Sequence, residues 1–118
     1  MGAKKLLTPF ALFASAGGSM TGTSVIHSSV TDVRNLDNIG LQVNWTGTPT
    51  GTLIVEGSND GTTFYALTFS PSLAQPSGSA SGYLISLNQF PWIYCRVSYT
   101  NSSGSGNLFV TLAAKDLN

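Results

Sequence analysis

Ile39, Leu41, Val43 and Trp45 are separated by Gly40, Gln42 and Asn44, one polar or small residue at each step. A repeat of two sends successive side chains to opposite sides of an extended chain, so these four residues share one buried face of a strand. The same alternation returns at Leu53 and Val55, with Thr52, Ile54 and Glu56 on the other face. It appears again at Ile93, Cys95, Val97 and Tyr99, with Arg96 opposite, and in the run 108–114. Short runs with this repeat, divided by turn residues, specify packed sheets rather than a helical bundle.

The punctuation agrees. Thr46-Gly47-Thr48-Pro49-Thr50-Gly51, the run 70–82 and Asn101-Ser102-Ser103-Gly104-Ser105-Gly106 read as turns or loops. Asn59-Asp60-Gly61 suits a tight type I′ hairpin, with a strand returning over 63–69. Further strands are expected at 25–27, 30–33, 83–87 and 92–100, about eight in all. The fold class predicted is all-β: a single β-sandwich, jelly-roll-like, with an extended N-terminal arm. Its predicted core contains Trp45, Trp92, Phe64, Leu53, Val55, Val97, Leu108 and Val110.

Residues 1–23 are set apart as that arm, and residues 24–118 as the sandwich domain. Lys4-Lys5, the apolar run 6–13 and Ala14-Ser15-Ala16 have the three regions of a secretory signal. We read the segment instead as an ordered arm, with 17–23 as a flexible joint. Its apolar groups Leu6, Leu7, Phe10, Leu12 and Phe13 need cover from water, and each one buried contributes about 1.5–3 kcal/mol. The expectation is that they form an interface on a neighbouring subunit or another protein. No apolar run reaches the ~20 residues of a membrane-spanning helix.

Only 8% of the residues are charged, five basic and five acidic. Soluble domains usually carry about 25%. Zero net charge supplies no basic footprint for nucleic acid and no polybasic patch for a membrane surface. Catalytic material is equally sparse. His27 is the one histidine and Cys95 the one cysteine, too few for a zinc site, and no internal disulfide can form. The acids Asp32, Asp37, Glu56, Asp60 and Asp116 are scattered. Ser58–Thr62 lacks the alternating acids and closing Glu of an EF-hand. Phe90, Tyr94 and Phe109 are candidates for stacking on a sugar or filling a subunit interface. No catalytic, cofactor-binding or metal residues are expected.

The run from Leu36 to Gly51, the segment Val55-Glu56-Gly57-Ser58-Asn59-Asp60-Gly61 and the strand Tyr94–Tyr99 together resemble small structural proteins of tailed and related bacteriophages. The segment Lys4–Ala16 is similar to their start. The resemblance implies a β-sandwich used in assembly: a non-enzymatic virion protein, foremost a capsid decoration or cement subunit. Its partners would be the major capsid protein or other virion proteins and further copies of itself, with no nucleic acid and no membrane. It would be assembled in the host cytoplasm and located in the virion. The alternatives are a head–tail or tail adaptor, or a small lectin-like sandwich that binds a glycan.

Overall fold

A computed structural model describes residues 6–13, 17–23, 25–34, 36, 38–69, 73, 75–79, 81–88 and 90–115, with side chains outside the description at 6–10, 88 and 115. These residues form ten strands and no helix: β1 (Leu6–Ala11), β2 (Gly18–Met20), β3 (Val25–His27), β4 (Thr31–Asp32), β5 (Asn38–Gly47), β6 (Thr50–Ser58), β7 (Tyr65–Ala66), β8 (Ser81–Asn88), β9 (Tyr94–Ser103) and β10 (Gly106–Lys115). One sheet runs β1-β10-β5-β8, with β2 also on β10. The other runs β3-β9-β6-β7, with β4 also on β9. Every pairing is antiparallel. Counting β1 with β2 as one interrupted strand, and β3 with β4 as another, the spatial orders are 1-8-3-6 and 2-7-4-5.

The alternation in the sequence puts the core between the sheets. Ile39, Leu41, Val43 and Trp45 from β5 and Leu108, Val110 and Leu112 from β10 face Leu53, Val55, Cys95, Val97 and Tyr99 from β6 and β9, all buried. In-register pairs such as Val43 with Val110 and Val55 with Val97 hold the inward sets together. A one-residue slip would turn either set to solvent. The expected sandwich is therefore present, and six of the eight predicted core residues lie in it. Trp92 is 39% exposed and Phe64 is half-buried on the outer side of its sheet. Trp92 precedes β9, so strand parity does not govern its side chain.

The amino-terminal segment departs most from expectation. Rather than leaving the body as an arm, β1 and β2 pair with successive parts of β10. Between them the Leu12 amide donates to the Val110 carbonyl (2.8 Å), and the Leu12 carbonyl accepts from the Ser29 amide (2.9 Å). Leu12 is 1% exposed and Met20 is also in the core. The strand β10 offers backbone hydrogen-bonding groups along its full length, and the nearest extended segment able to satisfy them is the chain's own start. The interruptions after β1 and β3 meet at Leu12 and Ser29, linking the two sheets along this side.

The other side of the β3-β9-β6-β7 sheet is covered differently. Six residues, 59–64, separate β6 from β7, so Asn59-Asp60-Gly61 is part of a longer loop rather than a two-residue hairpin. Only Tyr65 and Ala66 of the predicted returning strand pair with β6. Beyond them the Leu67 amide donates to the Val55 carbonyl, and the Gly51 amide donates to the Pro76 carbonyl. The Gln75 side-chain amide accepts from the Leu53 amide and donates to the Leu53 carbonyl. Gln75 thus replaces one residue of a strand, since its amide carries the same donor and acceptor as a peptide group.

The sheets exchange chain at a corner where β5 passes to β6 and β9 passes to β10. The Thr48 amide donates to the Ser105 carbonyl (3.0 Å). Gly104 has φ +71°, and a Cβ there would run into the Thr48 carbonyl oxygen. Asn101 fixes the same end, accepting from the Tyr99 hydroxyl and donating to the Gly22 and Gly104 carbonyls.

Candidate functional site

Three places concentrate chemistry on the outside of the sandwich. The first is the outer side of β9 and β6. Arg96 Nε donates to Glu56 Oε1 at 2.7 Å, and Ser98 Oγ donates to the same oxygen at 2.6 Å. That leaves the Ser98 oxygen to accept from His27 Nδ1, also at 2.6 Å. Strand register produces the group: Glu56 opposes Arg96, and His27 opposes Ser98. The Arg96 guanidinium lies 4.2 Å from the centre of the Phe64 ring. Burial disfavours ionised Glu56, but the hydrogen bonds from Ser98 and Arg96 and the charge of Arg96 outweigh it, holding the carboxyl below its ordinary value. Ser98 is buried and gives its proton to the carboxylate, so this arrangement ties strands together.

The second place is the outer face of the β10-β5-β8 sheet. Three adjacent rows on it are Phe109, Asn44 and Gly82; Thr111, Gln42 and Leu84; and Ala113, Gly40 and Ser86, none of them charged, and the next row is Lys115, Asn38 and Asn88. Leu84 is 79% exposed on β8, the last strand of the sheet, beside a shallow groove of about 420 Å³ that Gly40 and Ala113 also line.

The third is a cleft of about 510 Å³ at one end of the sandwich, lined by Gly57, Asn59, Asp60, Thr63, Tyr65 and Trp92 among others. Asp60 Oδ1 accepts from the Thr62 and Thr63 amides (2.8 and 2.9 Å) and from the Ser58 hydroxyl (2.9 Å). The amide bonds from Thr63 and Thr62, with the Ser58 bond, lower the Asp60 carboxyl below its ordinary value. Asn59 Oδ1 accepts from the Ile93 amide at 3.1 Å.

Of the interface residues expected from sequence, only Leu12 and Phe13 have described side chains. Leu12 is in the core, and Phe13 is half-buried against it. The side chains of Leu6, Leu7 and Phe10 lie outside the described residues. Of the three aromatics suggested for stacking, Phe90 is buried, Phe109 is half-buried, and Tyr94 accepts from Arg34 Nη2 at 3.2 Å. Among the described residues the exposed aromatics are instead Tyr65 and Trp92. Leu84 was legible: with Ile85 and Leu87 inward, parity sends it outward. Asp32 pairs with Arg34 at 3.0 Å, while Asp37 and Asp116 lie outside the described residues. Cys95 is buried, and burial pushes its thiol up to about 12. Among the described residues no three His, Cys, Asp or Glu side chains gather as a metal site would require.

No protein-family model matches this chain, and no curated protein matches it in sequence. Its fold does recur among solved structures. The SPBc2 prophage-derived protein YomS is similar over 98% of this chain and 96% of its own length, with TM-score 0.60 and 13% identity. The PBSX exported protein XepA is similar over 96% of this chain, with TM-score 0.55 and 15% identity. This chain spans 37% of XepA's length. At identities this low, the likeness shows the shared fold alone.

Proposed function

We propose that this chain is a non-enzymatic structural subunit of a phage or prophage particle, seated on neighbouring virion proteins through the outer face of its β10-β5-β8 sheet. The observation that carries the reading is that face: three rows without a charge, with Leu84 79% exposed among them. Contacts made by an assembly subunit lose water, and uncharged residues give up their hydration at far lower cost than ions. The likeness to a prophage-derived protein over nearly the whole of both chains supports the phage setting. The strand orders 1-8-3-6 and 2-7-4-5 support a jelly-roll-like arrangement.

Within that reading the capsid decoration subunit comes first, and a head–tail or tail adaptor is the alternative. The contact surface is the sheet face rather than a free arm, because β1 and β2 are occupied on β10. Quantitative mass spectrometry of particles purified from cells carrying the gene tests the proposal. Decoration gives copies comparable in number to the major capsid protein, and an adaptor gives far fewer. Absence of the chain from intact particles contradicts the proposal.

A further inference from the structure

Beyond a seat on a particle, the end cleft has the chemistry of a carbohydrate site. We propose that it binds a neutral oligosaccharide, stacked on Trp92 and Tyr65 and hydrogen-bonded by Asn59 and Asp60. The two aromatic residues meet around Gly57. Trp92 lies against it, so close that a Cβ on Gly57 would come within 2.7 Å of the indole Cδ1, and Tyr65 is its partner in the β6–β7 ladder. With no side chain on Gly57, the indole can settle directly against the strand. Tyr65 is 73% exposed and Trp92 39% exposed, so a polar-edged ligand can reach both. Their apolar surfaces suit the hydrogen-bearing faces of a pyranose ring, and their edges leave hydroxyls in water.

The polar rim completes the argument. Asn59 Oδ1 is engaged by the Ile93 amide, which turns its role as acceptor inward and leaves the side-chain NH2 as donor without a partner among the described residues. Asp60 Oδ1 is engaged three times by its own loop, and Oδ2 has no partner among them. The Ser58 hydroxyl accepts from the Asp60 and Gly61 amides, so the loop that presents both groups is fixed before a ligand arrives. Donor and acceptor beside exposed rings match a polyol. Among the described residues no Lys or Arg lines the cleft, and Asp60 repels anions, so phosphates, nucleic acids and acidic sugars are disfavoured. The volume of about 510 Å³ is within the range of small-molecule sites.

Trp45 is buried and Trp92 is partly exposed, so ligand-dependent fluorescence reports on the cleft. The full chain is titrated with chitohexaose, cellohexaose and maltohexaose, with oligogalacturonate as the acidic comparison. At least one neutral hexamer should bind, and Trp92→Ala and Tyr65→Ala should each weaken it at least ~10-fold. Trp92→Tyr should retain part of the affinity, and Leu84→Asp on the other sheet should retain all of it. Tyr65 is exposed enough that its variant folds even where Trp92→Ala does not. No response to any neutral hexamer up to about 10 mM, a weak binder by any standard, overturns the proposal. So does unchanged affinity in Tyr65→Ala, or tighter binding of oligogalacturonate. Particle association of the two cleft variants is unaffected in either case, so failure here is distinct from failure of the structural role.

Discussion

Glu56 shows how a chain with few charges uses the ones it has. Its carboxylate is nearly buried, yet Arg96, Ser98 and, through Ser98, His27 supply a partner for the charge. A folded-state value below the ordinary one means that ionised Glu56 stabilises the fold above the unfolded value, near pH 4.3. That contribution is lost as the pH falls through the lower, folded value. Glu56→Gln should therefore cost about 1–3 kcal/mol at pH 7, and urea titrations should find the gap to the parent closing below about pH 4.5. A gap that stays constant down to pH 3 contradicts this role. The sequence shows Glu56 and Arg96 on outward faces by parity. That they oppose each other depends on the β6–β9 register, which no local pattern encodes.

Among the elements, β5, β6, β9 and β10 were legible because each has one dry and one wet face, and the period of two follows directly. The short strands were not. β7 keeps only two residues because Asp60 and Ser58 hold the preceding loop with side-chain bonds that compete with ladder pairing. The sequence sets residues 1–23 apart as an arm because the apolar groups of Leu6–Phe13 show no sustained period of two and the Gly-rich joint 17–23 divides them from the body, and neither feature reveals which chain they cover. The structure places Leu12 inside its own core. Leu12→Ala should thus lower the stability of the isolated chain by about 2–5 kcal/mol in equilibrium denaturation. A change under ~0.5 kcal/mol would mean that the segment is dispensable to the fold, as an arm would be.

At the scale of the whole molecule, the sandwich is closed where its strands could slip and open where its surface could be used. One side is sewn through Leu12 and Ser29, the other by Gln75, Pro76 and Ser77 along β6. The three central rows on the outer face of β10-β5-β8 carry no such cover among the described residues and no charge; Lys115 stands in the row beyond them, with Asn38 and Asn88. That absence of charge was visible in the composition. Its concentration on three in-register rows was not, because the rows draw on residues up to 73 positions apart, from Gly40 to Ala113. The most direct test is co-sedimentation of the chain with particles prepared without it, comparing the parent with a Leu84→Asp, Ala113→Asp variant. Both substitutions are on the outer side, so the unfolding midpoint should move little. The variant should bind at least ~10-fold more weakly, because two buried, unpaired carboxylates would oppose the contact. Binding equal to the parent's, with the fold intact, would contradict it.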